Sequence, residues 1–420
     1  MLNILFVTPA FPPFTGGGER YARSLALAIV AAGHRVTVVT SSAQTEADFW
    51  QGAPPPPAGE TPTLPLTLIR CPLRPLPLGR TGLLAWRKGM VLLSALPGDQ
   101  SGWLRRMAQA VPPITGLAAT LATLPDDFDL VVGFNLSWEH AALAAWQFAR
   151  QRGRPFVLVP FAHLGEGRHT RMARNATMDH QRHLLADADS VLALTEAEVA
   201  GFATWGIVPR RIDVVGSGLD PAPTLTDPAG IVAGYDLQTP FALFIGRVNY
   251  DKGAIHAAQA AIALRRQGLP LALALVGRTA ADFDKFYSHL SPAARQAVRP
   301  LGVVSEEAKH SLLSQASLLL LPSRTDSFGI VLLEAWSHGK PVVGASVGGV
   351  GSVISDGQDG LLVPFGDVDA LSQAVARLVT DEALNRQLGA QGRAKVQARY
   401  TWERVAERVL ANFAQLVPAA

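Results

Sequence analysis

Two series of short, apolar, β-rich runs, each run parted from the next by a helix-length stretch, set the frame for this 420-residue chain. The first series comprises Asn3–Thr8, Arg35–Thr40, Thr67–Cys71, Leu130–Asn135, Phe156–Phe161 and Val191–Thr195. The second comprises Phe241–Gly246, Leu271–Gly277, Leu318–Pro322, Pro341–Ala345 and Leu361–Pro364. Neighbouring strands joined by a crossover of helix length pair in parallel, and strands covered by helices on both faces read as continuous apolar runs. The chain is therefore expected to be α/β, with two parallel sheets in two Rossmann-like domains over residues 1–212 and 213–398. The stretch Pro221-Ala222-Pro223-Thr224-Leu225-Thr226-Asp227-Pro228 has no period and reads as the link between them. From Trp402 to Leu416, Val405, Val409, Leu410, Phe413 and Leu416 recur at helical spacing and predict a terminal helix.

Apolar residues make up 48% of the chain and charged ones 17%, enough for large cores, and no apolar run reaches the length of a membrane span. Cys71 is the only cysteine, which excludes an internal disulfide and a multi-cysteine metal site. A reducing cytoplasm is the setting expected from that single cysteine, and Met1–Thr8, which lacks a basic leader and a small-residue cleavage site, reads as a first strand rather than a signal peptide. A net charge of +3 is too small to argue for nucleic acid. The charge is uneven, however. Arg70, Arg74, Arg80, Arg87, Lys88, Arg105 and Arg106 face a single acid, Asp99, with Trp86, Trp103, Leu83, Leu84, Met90, Val91 and Leu92 among them. The segment 70–106 fits a peripheral contact with anionic lipid at the inner face of a membrane, and equally a helical excursion with a solvated basic face.

The most informative stretch is Pro322-Ser323-Arg324-Thr325-Asp326-Ser327-Phe328-Gly329-Ile330-Val331-Leu332-Leu333-Glu334. It reads as the end of a buried strand, a tight polar loop and a helix opening near Phe328. Unpaired N–H groups and the positive dipole end at such an opening seat a phosphate, and a carboxylate one to two turns further in can accept from a ribose diol. A second run, Phe241-Ala242-Leu243-Phe244-Ile245-Gly246-Arg247 followed by Asp251-Lys252-Gly253, puts two cations across a loop at a strand end. Fixed there, they stabilise the developing charge of a departing diphosphate without a metal.

The first strand leads into Pro12-Pro13-Phe14-Thr15-Gly16-Gly17-Gly18-Glu19, where glycines let backbone N–H groups approach an oxyanion. The spacing is not Gly-x-Gly-x-x-Gly and no acid closes the second strand, so a dinucleotide fingerprint fits poorly. His163 stands just past the carboxyl end of a strand, where open α/β sheets bind ligands, or is a hydrogen-bonded structural histidine. His180 and His183 lack a third ligand, and Asp127-Phe128-Asp129, Asp187-Ala188-Asp189, Asp282-Phe283-Asp284 and Asp367-Val368-Asp369 are placed as strand leads or helix caps, so no metal site is expected.

Together these runs resemble, over nearly the whole chain, the retaining glycosyltransferases of family 4, which have the GT-B fold. The matching elements are the acid-x7-Glu signature at Asp326 and Glu334, the Gly-Arg-x(4)-Lys-Gly element at 246–253, and the Pro-Pro-x-x-Gly-Gly-x-Glu loop at 12–19. The resemblance implies two domains facing a central cleft, with the terminal helix, 399–420, crossing back onto the first. It implies that a nucleoside-diphosphate sugar is held by Arg247, Lys252 and the Phe328, Gly329, Ile330 and Val331 junction, with Glu334 on the ribose. Gly16 and Gly17 would serve the phosphate, and His163 and Asp326 would lie beside the donor sugar. Asp326 stands where the family more often has Glu, one methylene longer. The implied reaction moves a hexose to a hydroxyl of a sugar or lipid-linked acceptor with retention of anomeric configuration, without cofactor or metal, in polysaccharide or glycolipid synthesis. Two rivals stay open: a nucleotide-sugar epimerase on a similar fold, and a catalytically silent nucleotide-sugar-binding module.

Overall fold

A computed structural model describes residues 1–54, 65–162 and 171–417, and divides the chain into two units. The first is Met1–Gly218 with Trp402–Ala420, and the second is Leu219–Thr401.

The first unit carries seven strands: β1 (Asn3–Val7), β2 (Arg35–Ser41), β3 (Thr67–Cys71), β4 (Leu130–Phe134), β5 (Phe156–Val159), β6 (Ser190–Ala193) and β7 (Ile212–Val214). They form one parallel sheet in the order β3-β2-β1-β4-β5-β6-β7. Ile4 lies between Val36 and Leu130 in register, and every residue of β1 and β4 is buried, which explains their unbroken apolar sequence. The second unit carries β8 (Phe241–Ile245), β9 (Ala272–Val276), β10 (Val298–Gly302), β11 (Leu318–Leu321), β12 (Val342–Ala345) and β13 (Gly360–Val363). Its parallel order is β10-β9-β8-β11-β12-β13. In both sheets the winding reverses beside the first strand, between β1 and β4 and between β8 and β11. Loops diverge there and leave a crevice at the carboxyl ends of the strands.

Two strands escape sequence reading, and both are edges. β10 contains Pro300, which lacks a ladder N–H and is tolerated at an edge, where the register also slips between Pro300 and Gly302. β7 has only three residues. The helix Trp402–Leu416 belongs to the first unit. Val405, Val409 and Phe413 are buried, Trp402 meets Tyr21 edge to face at 5.3 Å, and Asn412 donates to Ser190 at 2.7 Å.

The basic segment folds as helices Gly79–Ser94 and Ser101–Ala108. Several of its charges turn inward. Arg70 donates to the carbonyls of Phe11, Pro12 and Ser41; Arg87 grips both oxygens of the buried Glu139 at 2.7 and 2.8 Å; Arg105 lies over Trp146 at 4.5 Å. His180 joins the same network through Glu139, at 2.9 Å. The segment also exposes Leu78, Leu84, Leu92, Leu96 and Trp103, beside the exposed cations Arg74, Arg80, Lys88 and Arg106. Among the described residues no helix is long and apolar enough to cross a membrane.

Candidate functional site

In the second unit the loops after β8 and β11 run side by side, as their neighbouring strands require. Arg324 ties them together, donating to Asp251 Oδ1 at 2.8 Å through its guanidinium and to the Asp251 carbonyl through its backbone N–H at 3.1 Å. Their approach is so close that a Cβ at Gly253, where φ is +78°, would overlap the Pro322 carbonyl. Only glycine meets both demands at that position. A third loop, after β12, closes the ring, with Gly349 N–H donating to the carbonyl of Asp326 at 3.0 Å.

The two cations predicted for a diphosphate sit differently. Arg247 is exposed and has no hydrogen-bond or ion-pair partner among the described residues. Lys252 Nζ lies 2.6 Å from Asp326 Oδ1, with both side chains about three-quarters covered. The other oxygen of Asp326 is buried without a partner. The predicted phosphate ligand and the predicted sugar ligand are thus clasped to each other. Gly329, at φ +83°, precedes the helix Ile330–Ser337, and no side chain caps that helix start. Phe328 is a partial correction: its ring is buried against Tyr400 at 5.5 Å, so it offers a ligand only its main chain.

Glu334 is buried within the same helix. Its Oε1 accepts from Lys309 Nζ at 2.8 Å, while Oε2 is buried with no partner. Lys309, itself buried, also reaches Glu306 at 2.7 Å. Glu306, His310 and Glu334 bring one ligand-type atom each within 4.8 Å of one another, but the Lys309 ammonium already pairs with both carboxylates. His338 contacts His310 at 2.9 Å and is pushed down to about 4, first by burial and then by its histidine neighbour.

In the first unit, Gly16 and Gly17 stand at the start of the helix Gly17–Ala31. A Cβ at Gly17 would meet nothing within 4 Å, whereas one at Gly16 would strike the carboxylate of Glu19. Burial pushes that carboxyl up. His163 lies outside the described residues. The strand end leading to it is fixed by Glu198, whose two oxygens accept from Ala162 N–H at 2.7 Å and Leu194 N–H at 2.8 Å. Complete burial raises the Glu198 carboxyl to about 7. Sequence reading missed Glu198 and Lys309 alike, since each is one charge among several on an ordinary helix.

The fold defines a class: α/β proteins built of two Rossmann-type sheets, each with a crevice where its winding reverses. The description Glycosyl transferases group 1 matches residues 233–395, and Glycosyl transferase 4-like domain matches residues 16–218. D-inositol 3-phosphate glycosyltransferase 1 of Catenulispora acidiphila is 30% identical over 331 residues, 72% of this chain and 76% of that protein. Alpha-maltose-1-phosphate synthase of Mycolicibacterium smegmatis is 31% identical over 221 residues, 48% of this chain. The match spans only 56% of that relative's length. The Anabaena Alr3699/HepE structure in complex with UDP-glucose superposes with a TM-score of 0.69 at 18% identity, covering 99% of this chain and 100% of that one. This chain belongs to the group 1 glycosyl transferases and has their GT-B fold.

Proposed function

We propose that this chain is a retaining, metal-independent glycosyltransferase that moves a hexose from a nucleoside-diphosphate sugar to an acceptor hydroxyl. One observation carries the reading. A bare Arg247, Lys252 and an uncapped helix start gather at one sheet reversal, with a buried, unpartnered carboxylate oxygen of Glu334 in that helix. This set matches a diphosphate and a ribose in charge and in hydrogen-bonding sense. The UDP-glucose held by the similarly folded Anabaena protein supports the same class of donor. Arg247, Lys252 and the Gly329, Ile330 and Val331 amides hold the diphosphate, Glu334 takes the ribose, and His163 and Asp326 attend the sugar. In the transfer, the bond from the anomeric carbon to the diphosphate oxygen breaks and the acceptor oxygen bonds on the same face. The acceptor proton passes to the departing phosphate oxygen, and two fixed cations meet the charge that develops there.

We propose further that the acceptor is met at a lipid surface. Leu84, Lys88 and Leu92 follow one another at four-residue steps along the helix Gly79–Ser94, with Leu96 beyond and Trp103 and Arg106 on the next helix, all exposed. Exposed leucines and tryptophan among cations complement an anionic bilayer interface. Flotation with phosphatidylglycerol vesicles, lost on Leu84→Asp with Leu92→Asp, tests this, and equal recovery with phosphatidylcholine vesicles refutes it.

The reaction itself is tested by slow hydrolysis of a panel of nucleoside-diphosphate sugars in chelator, with Glu334→Ala alongside. Release of free sugar from one donor, lost in the variant, is expected. An anomer-inverted product with any acceptor would sink the retaining assignment, and no donor binding would sink the site.

A further inference from the structure

We infer that Lys309 is the positioning residue through which this protein distinguishes a ribonucleotide donor from a deoxyribonucleotide. The inference rests on the reading of Glu334 as the ribose acceptor. Lys309 and Glu334 come from different helices, Glu306–Gln315 and Ile330–Ser337. Both side chains are at least nine-tenths covered, at 10% and 4% exposure. A buried carboxylate needs a partner of opposite charge, and a single ammonium compensates this one. It engages Oε1 alone, at 2.8 Å. The consequence is an asymmetric carboxylate, one oxygen anchored and the other, Oε2, buried and without a donor.

Such an oxygen is available to accept a hydrogen bond from a ligand that reaches it. A hydroxyl satisfies it, and a hydrogen at the same carbon leaves it unpaired and desolvated, which makes the discrimination steep. Rotation of Glu334 would point both oxygens elsewhere, and Lys309 opposes that rotation. Glu306 in turn steadies Lys309 from its exposed side, at 2.7 Å. The cation therefore acts on the donor through Glu334 and touches no ligand itself.

The test measures binding of UDP, GDP and ADP, and of their 2′- and 3′-deoxy forms, to the full chain by calorimetry. Wild type is expected to prefer the ribose form of its best nucleotide over one deoxy form by about tenfold or more. In Lys309→Met the preference falls to within about twofold while affinity for that deoxy form holds. Lys309→Gln keeps an N–H donor and a similar length but loses the charge, and guards against a Met variant that fails to fold. It is expected to show a preference below wild type. A ribose preference unchanged in either variant overturns the inference, and so does a loss that falls equally on ribose and deoxy forms. Failure of all three nucleotides to bind wild type overturns the underlying reading of the site instead.

Discussion

Lys252 cannot serve Asp326 and a diphosphate at full strength together, so removing the Asp326 charge is expected to tighten nucleoside-diphosphate binding while it harms transfer. The pair is short, 2.6 Å, and partly covered, with 24% and 20% of the two side chains exposed. A hydrogen bond between charged groups contributes about 1.5–3 kcal/mol, and partial solvent screening trims that to about 1–2 kcal/mol here. Asp326→Asn is therefore expected to lower Kd for the nucleoside diphosphate by roughly 5- to 30-fold. Calorimetric titration of the sugar-free diphosphate measures this directly, because it leaves out any contact of Asp326 with the sugar. Turnover of the full donor is expected to fall by at least about 100-fold, the scale of losing one electrostatic contact to a reacting centre. Merely deleting a negative charge near a phosphate also tightens binding, so the argument needs a cycle. In a Lys252→Met background the Asp326→Asn gain should shrink to about twofold or less. A gain that persists in full there refutes the clasp as its cause, and an unchanged Kd in Asp326→Asn alone refutes the competition altogether.

Other perturbations follow from the same geometry. Gly253→Ala forces a left-handed residue to carry a Cβ into the Pro322 carbonyl, and is expected to cost about 2 kcal/mol or more, read as a lowered Tm; an unchanged Tm would contradict the close approach. Glu334→Leu leaves the buried Lys309 ammonium without its buried partner and should cost about 3–5 kcal/mol, much of it recovered in the double variant with Lys309→Met. Strictly additive denaturation energies would refute that coupling. Burial raises the Glu198 carboxyl from its ordinary 4.5 to about 7 in the folded chain, so folding favours its protonated form. Its contribution is fully present below pH about 4.5 and is lost as pH rises through 7. Relative to Glu198→Gln, wild type should lose about 3 kcal/mol across that window and stay level above it. Parallel stability curves for the two proteins would rule this out.

The sheets were legible because burial on both faces leaves a local trace, the continuous runs at β1, β4, β8 and β11. The edges were not, since Pro300 argues against a strand wherever its N–H would be needed and only the sheet's boundary excuses it. In the site, the loop-borne groups Arg247, Lys252 and Asp326 announced themselves through strand ends and glycines. Their pairing did not, because the clasp joins residues 74 positions apart. Lys309 was hidden for a related reason. Between Glu306, Glu307 and His310 it reads as a solvated helix face, and only the packing of two helices turns it inward toward Glu334. In the segment 70–106 the sequence alone did not separate inward from outward cations: Arg87 pairs with the buried Glu139, whereas Arg74, Arg80, Lys88 and Arg106 stay exposed beside the outward leucines.

The last long helix carries a consequence for how this protein is made. Trp402–Leu416 completes the first unit, although all of the second unit intervenes in the chain. A ribosome therefore releases the first sheet unfinished, with the surface around Tyr21 and Ser190 bare until Val405, Val409 and Phe413 emerge. At ordinary elongation rates that delay is on the order of ten to forty seconds. During it the second unit, contiguous in sequence, can finish folding first, so biosynthesis runs counter to reading order and the first-born half is the last to close.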